Sequence, residues 1–227
     1  MASSFDELVA RGVYSKGHVH ADAFRALFRT GMADALGTLE TNTPRILEVG
    51  CGAGAWIDDT LALLNEEGVS GEVFGTDISP KMVETCQARF AGRLPPERFF
   101  VGDILADGGY GNGDAAYDLI VAYDVVQQLP RAAQPAAFDA MARHLTPGGV
   151  LLIFDNEADS SFGRSMARKK FLTRYFRLPL VPRYFCNARY PAMAATAKRL
   201  AADGWSTRLT QVNGLHKVYM LVGSGPA

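Results

Sequence analysis

Cysteine and histidine are scarce in this sequence. Its three cysteines, Cys51, Cys86 and Cys186, stand far apart and match no metal-ligand spacing. That argues against a disulfide scaffold or a cysteine-built zinc site, and a reducing, cytoplasmic setting is expected. His18 and His20 have no third ligand at a recognisable spacing, so no metal is expected. Excess charge is missing too: 23 lysines and arginines oppose 24 aspartates and glutamates, a formal net charge of -1. Nucleic acid therefore has no global electrostatic attraction to this chain. No apolar run has the length of a bilayer-spanning helix, so stable membrane insertion is not expected. The first residues include Asp6 and Glu7 and show no apolar core of signal-peptide length. No repeat appears at a solenoid period.

The 227 residues, 48% of them hydrophobic, suit one domain with a large core rather than two. The densest signal is Arg45-Ile-Leu-Glu-Val-Gly-Cys-Gly-Ala-Gly-Ala-Trp56. Ile46 to Val49 reads as a buried parallel strand, and an apolar segment from Ile57 reads as a helix. Gly50, Gly52 and Gly54 lie between them, where glycine permits a sharp turn and close approach of a ligand to the main chain. Such a turn before a helix N-terminus is a nucleotide or cofactor site. The dinucleotide fingerprint Gly-x-Gly-x-x-Gly is not met, because the third glycine comes one residue early. Glu48 also disfavours a phosphate and suits a ligand bearing an ammonium or sulfonium group.

This stretch resembles motif one of the class I S-adenosylmethionine-dependent methyltransferases: an acidic residue, any residue, then Gly-x-Gly-x-Gly. Glu48, Gly50, Cys51, Gly52, Ala53 and Gly54 match without a gap. The resemblance implies an α/β fold with a seven-stranded, mostly parallel sheet of order 3-2-1-4-5-7-6. Strand seven would be antiparallel, helices would cover both faces, and an N-terminal helical cap would be added. It implies S-adenosylmethionine as cofactor and a small-molecule methyl acceptor.

Further along, strand two (Glu72 to Thr76) ends at Asp77, where carboxyl ends of strands line the ligand crevice. Asp77-Ile-Ser-Pro-Lys-Met82 resembles the family's form there. The resemblance implies ribose binding by Asp77, adenine packing by Ile78 and a cofactor contact from Met82. Ser79 caps the next helix and Pro80 takes its first position. After strand three (Arg98 to Val101), Asp103 would bond the adenine amine and Ile104 would pack on the ring. Strand four (Tyr117 to Ala122) opens into Tyr123-Asp-Val-Val-Gln-Gln-Leu-Pro130, where donor and acceptor would meet. Tyr123 is a cofactor candidate; Asp124 and Gln127 are substrate candidates. Small-molecule members often carry a histidine before the Leu-Pro. Gln127 and Gln128 stand there instead, and glutamine cannot act as a general base near neutral pH. The Asn/Asp-Pro-Pro-Tyr signature is absent, which counts against a DNA adenine or protein glutamine target. Strand five (Val150 to Phe154), a last helix (Pro191 to Asp203) and a hairpin around Asn213-Gly214 complete the pattern.

Two segments match more loosely. Residues 1 to 40 are expected to form the cap, in one domain with residues 41–227, and a helix is expected from about Asp22 to Leu36. Tyr14, His18 and His20 form either a polar surface turn or a cap touching cofactor or substrate. They are the candidates for a catalytic base, and Tyr14 also for substrate binding. Between Ser160 and Ala202 there is no acidic residue, while basic and aromatic residues alternate. Pro179, Pro182 and Pro191 are expected to break this segment into short pieces, with a lid over 160–190. Three readings stand open: a solvated lid face, a pocket for an anionic aromatic or lipid-like small molecule, or an RNA or membrane contact. Arg174, Tyr175, Arg183 and Arg189 are the substrate candidates, since arginine's fork suits a carboxylate.

The expected activity is methyl transfer to an O, N or C nucleophile of a small metabolite, aromatic or carboxylate-bearing, mainly by proximity and orientation. An RNA- or tRNA-modifying methyltransferase and a non-catalytic scaffold are the alternatives. A nucleic-acid partner is not favoured, and a homodimer is left open.

Overall fold

Successive strand residues point to opposite faces, and here both faces are apolar, so the sheet must be covered on both sides. The computed structural model describes residues 22–106, 110–111, 116–181, 186–211 and 217–223. In it β1 (Arg45–Val49), β2 (Glu72–Asp77), β3 (Phe99–Val101), β4 (Tyr117–Tyr123), β5 (Leu145–Asn156), β6 (Ser206–Gln211) and β7 (Lys217–Gly223) form one sheet. Its order is β3-β2-β1-β4-β5-β7-β6. β1 to β5 pair in parallel, and β7 runs antiparallel to both β5 and β6. The expected topology, with its reversed strand, is the one observed.

The helices are α1 (Asp22–Leu36), α2 (Ala55–Glu66), α3 (Pro80–Arg89), α4 (Gln134–Arg143), α5 (Ser161–Phe176) and α6 (Met193–Ala202). Ile46, Leu119, Val121, Leu152 and Phe154 share one core with Phe28 and Met32 of α1, Ile57 of α2 and Cys86 of α3. The alternate residues Leu47, Ile120, Leu151 and Ile153 share the other with Phe138 and Met141 of α4 and Met193 and Leu200 of α6. This is a three-layer α/β arrangement. Among the described residues no helix is long and apolar enough to cross a membrane, and no group of potential ligands could hold a metal.

Local chemistry sets the helix ends. The Ser79 hydroxyl accepts from the Met82 N–H at 3.2 Å and Pro80 opens α3, as the sequence indicates. The Ser160 hydroxyl accepts from the Gly163 N–H at 2.9 Å and starts α5. Two expectations need correction. Residues 161–176 are one helix of 16 residues, not short pieces, because the prolines of this segment all lie beyond its end. Arg177 closes it in a left-handed conformation, φ 55°. β5 begins at Leu145 rather than Val150: Tyr117 pairs Leu145 and Leu119 pairs Val150, so the Thr-Pro-Gly-Gly turn is absorbed as an irregularity within the strand.

Gly31 lets α1 lie close against the sheet. A Cβ there would stand 2.7 Å from Cζ of Phe154 and 2.8 Å from Cε1. Gly31→Ala should therefore lower unfolding free energy by about 1 to 3 kcal/mol through overpacking, measured by urea denaturation. An unchanged midpoint would show that α1 is free to shift.

Candidate functional site

β1 and β4 are neighbours in the sheet, yet β1 leads to a helix on one face and β4 to a helix on the other. In open α/β sheets a ligand crevice forms at that switch point. Gly50, Gly52 and Gly54 all have positive φ, at 68°, 52° and 78°. Their surroundings differ. A Cβ on Gly50 would meet Cγ2 of Val125, in the loop after β4, at 2.4 Å. One on Gly54 would meet Cε2 of Phe90 at 2.4 Å. One on Gly52 would meet nothing within 4 Å. Two of the glycines thus serve packing, and the middle one faces open space.

Asp77 ties the end of β2 to this loop. Its Oδ2 accepts from the Gly52 N–H and its Oδ1 from the Ser79 N–H, both at 2.9 Å. Ile78 beside it is half-buried, and Met82 is buried. Asp103 follows β3 and accepts from the Leu105 N–H at 3.0 Å. Ile104 is buried, and its carbonyl accepts from the Tyr110 hydroxyl at 2.8 Å. Cys51 is buried, with its N–H donating to the Thr76 carbonyl at 3.0 Å.

Glu48 sits inside β1, 3% exposed, between Gly75 of β2 and Val121 of β4. Its Oε2 has no hydrogen-bond partner among the described residues. Burial above all, then Cys86, Asp77 and Asp59, holds its carboxyl well above the usual glutamate range, with Arg89 opposing. Aromatic rings wall the neighbouring space. Tyr123 lies 4.3 Å from Trp56 and 5.3 Å from Phe154, and Phe28 of α1 stacks on Trp56 at 4.5 Å.

A second polar cluster lies at the carboxyl ends of β4 and β5. Asp124 has φ 59°, in the left-handed region, and pairs with the ammonium of buried Lys217 on β7. Lys217 Nζ also stands 4.7 Å from the centroid of the Tyr123 ring. Asp155 is fully buried and accepts from the N–H groups of Gln127 at 3.0 Å and Asn156 at 2.7 Å. Burial, then Asp124, pushes the Asp155 carboxyl well up, against the pull of Lys217. Burial with Asp124 and Asp155 also raises the phenols of Tyr123 and Tyr190, the latter to about 12. Gln127 is buried, and its Oε1 lacks a hydrogen-bond partner among the described residues.

The region matched by a known family is residues 46–149, and the family is described as a methyltransferase domain. Residues 46–149 are thus a methyltransferase domain, and the sheet order is that of the class I S-adenosylmethionine-dependent methyltransferase fold. Among solved structures, magnesium protoporphyrin IX methyltransferase from Synechocystis is similar, with a TM-score of 0.66 and 18% identity. That similarity covers 99% of this chain and 95% of that one, and at such identity it shows the fold. Trans-aconitate 2-methyltransferase of Methylobacterium radiotolerans is 36% identical over 124 residues, 53% of this chain and 42% of that protein. A tRNA N(3)-cytidine methyltransferase of Danio rerio is 33% identical over 131 residues, 56% of this chain and 34% of that protein. The methyltransferase therefore spans less than half the length of these curated relatives.

The cofactor of this methyltransferase is S-adenosylmethionine. Its residues fit that group: Gly52 leaves open space at the turn, and Glu48 offers a buried, unpartnered carboxylate oxygen to a cation. The structure brings Glu48, Gly50, Cys51, Gly52, Gly54, Asp77 and Tyr123 to the switch point, with Asp124 and Gln127 alongside. Arg189 is half-buried, and its main-chain N–H donates to the Gln127 carbonyl at 2.6 Å. Arg174 instead bonds Asn187 Oδ1 at 3.2 Å, and Tyr175 is 67% exposed on α5. Tyr14, His18, His20 and Arg183 lie outside the described residues. Sequence reasoning missed Asp155 and Lys217. No local motif marks them; the nearest signal was a charged residue at each end of an apolar strand.

The raised pKa of Glu48 has a measurable consequence. A carboxyl whose folded value lies above its unfolded one takes up a proton on folding. Its contribution to stability is present at low pH and fades as pH rises through the folded value. Glu48→Gln has no proton to lose. In the cofactor-free protein it should raise Tm by roughly 3 °C or more at mildly alkaline pH, with the gap closing toward the ordinary glutamate range. A gap independent of pH would mean that Glu48 is ionised throughout.

Proposed function

We propose that this methyltransferase moves a methyl group onto an O, N or C nucleophile of a small metabolite, aromatic or carboxylate-bearing. Asp124 carries the reading. It is a non-glycine residue in a left-handed backbone, at the end of β4, held on a buried lysine. Such backbone strain concentrates at functional sites.

When bound, S-adenosylmethionine supplies an electrophilic methyl on a positively charged sulfur. Gly52, in a turn shaped by Gly50 and Gly54, would admit its amino-acid part to the main chain, and Glu48 would balance its positive charge. Asp77 would receive the ribose, Ile78 would pack on the adenine and Met82 would add a further contact. Asp103 and Ile104 hold the adenine, while Cys51 and Tyr123 complete the wall. On the other side Asp124 orients the acceptor's O–H or N–H and accepts its proton, in the absence of a histidine at Gln127 or Gln128. Lys217 holds Asp124 in place, and Gln127 offers its buried amide oxygen as a second hydrogen-bond acceptor. Arg189 clamps a carboxylate-bearing acceptor, under a lid to which α5 contributes. The aromatic rings around Tyr123 exclude water, which strengthens each of these contacts. The likeness to trans-aconitate 2-methyltransferase supports the carboxylate. The likeness to tRNA N(3)-cytidine methyltransferase and the basic α5 support a second reading, RNA as acceptor.

Incubating the protein with methyl-labelled cofactor and fractionated cell extract, with and without ribonuclease, separates the readings. Label in a low-molecular-weight, ribonuclease-resistant product is expected. Label confined to RNA would overturn the metabolite reading, and no label at all would favour a non-catalytic scaffold.

Asp124→Asn keeps the shape and removes the proton acceptor. With the acceptor found, kcat should fall about a hundredfold while cofactor affinity stays within about twofold. A kcat near that of the parent would assign the rate to positioning alone.

A further inference from the structure

Charge and apolar exposure are concentrated in one part of this chain. Ten of its 23 lysines and arginines fall between Ser161 and Ala202, and none of its 24 aspartates and glutamates does. The rest of the chain is acidic on balance. Eight large hydrophobic side chains are exposed among the described residues. Five of them, Phe171, Tyr175, Phe176, Leu178 and Leu180, follow one another from the last turns of α5 into the segment beyond. Phe171 lies 4.7 Å from the Tyr175 ring and 6.1 Å from the Phe176 ring, so the aromatics form one patch.

The helix has an inner and an outer side. Phe162, Gly163, Met166, Lys170 and Thr173 recur at helical spacing and are buried or half-buried. Arg164, Arg168, Phe171 and Tyr175 form the outward stripe, at i, i+4, i+7 and i+11. No ion pair joins Arg164, Arg168 or Lys169 to a carboxylate among the described residues. On the inner side Lys170 Nζ donates to the Ala188 carbonyl at 2.8 Å. The next residue, Arg189, is bonded to Gln127, so the inner side of α5 adjoins the site and its outer side faces away from it.

We propose that the outer face of α5, with residues 177–180, docks the protein on an anionic lipid bilayer. A helix lying in the bilayer interface combines basic side chains at the headgroups with phenylalanine and leucine below them. The arginines and Lys169 are drawn to the anionic leaflet, and the aromatic and leucine side chains enter the acyl boundary. RNA would use the rings and the arginines, but Leu178 and Leu180 add nothing to base stacking. A second copy of this chain would set one basic stripe against another, and like charges across an interface oppose association.

The full chain can be floated with vesicles of phosphatidylcholine alone or with phosphatidylserine added. Partition onto the anionic vesicles should exceed that onto the neutral ones by roughly tenfold and fall with salt. The double variant Phe171→Ser/Phe176→Ser, which keeps every charge, should lose roughly tenfold of that partition. Circular dichroism and S-adenosylhomocysteine affinity, unchanged in the variant, show that the fold is intact; neither needs a methyl acceptor. Three results would each overturn the proposal: no partition onto anionic vesicles, equal partition of parent and double variant, or tighter binding to transfer RNA than to vesicles. A dimer in sedimentation that the double variant dissociates would also overturn it, by placing a second copy on the patch.

Discussion

The missing side chain at Gly50 is the constraint on which the site depends. The loop after β1 and the loop after β4 approach so closely there that a methyl group would lie 2.4 Å from Val125. That contact sets the width of the crevice between the two halves of the sheet. It also anchors the residues just before Val125, Tyr123 and Asp124, to the glycine loop. Gly54 repeats the device against Phe90 on the helix side. Gly52, between them, is left with space around its turn. Alternate glycines in this loop therefore divide two tasks, close packing and access.

Around that crevice the domain holds acidic groups where burial disfavours their charge. Glu48 and Asp155 sit in strands at the centre of the sheet, each with its carboxyl pushed up by desolvation. Their surroundings answer this differently. Asp155 has two main-chain N–H donors and a lysine nearby, so its charge is met from within the protein. Glu48 has one oxygen with no hydrogen-bond partner among the described residues. A carboxylate left in that condition costs free energy unless a cation arrives or a proton stays on it. The contrast separates a structural acid from one suited to a charged ligand.

Much of this was legible in the sequence because it is local. The glycine run, the acidic residue ending β2 and the Ser79-Pro80 start of α3 each sit within a few residues of the element they control. The reversed final strand followed from the family resemblance and from a turn signal between two strand patterns. The pieces that escaped are non-local. Lys217 and Asp124 are far apart in the chain and meet because β7 pairs with β5. α5 was hidden for another reason: prolines further along drew the eye, although none lies within the helix itself. The start of β5 was obscured by a turn sequence that the strand accommodates rather than obeys. Among the predicted site residues, Arg189 reaches the site through its main chain, which side-chain type does not reveal.

The position of β7 ties completion of the site to the order of synthesis. β6 is made first, yet its neighbour in the sheet is β7, which inserts between it and β5. A nascent chain that has emerged only through β6 lacks the strand with which β6 pairs. The same missing segment carries Lys217, so Asp124 is still without its cation at that stage. Completion of the sheet and the charge balance around Asp124 thus wait for the same seven residues, Lys217–Gly223, to leave the ribosome. A stalled or clipped chain is deprived of both at once.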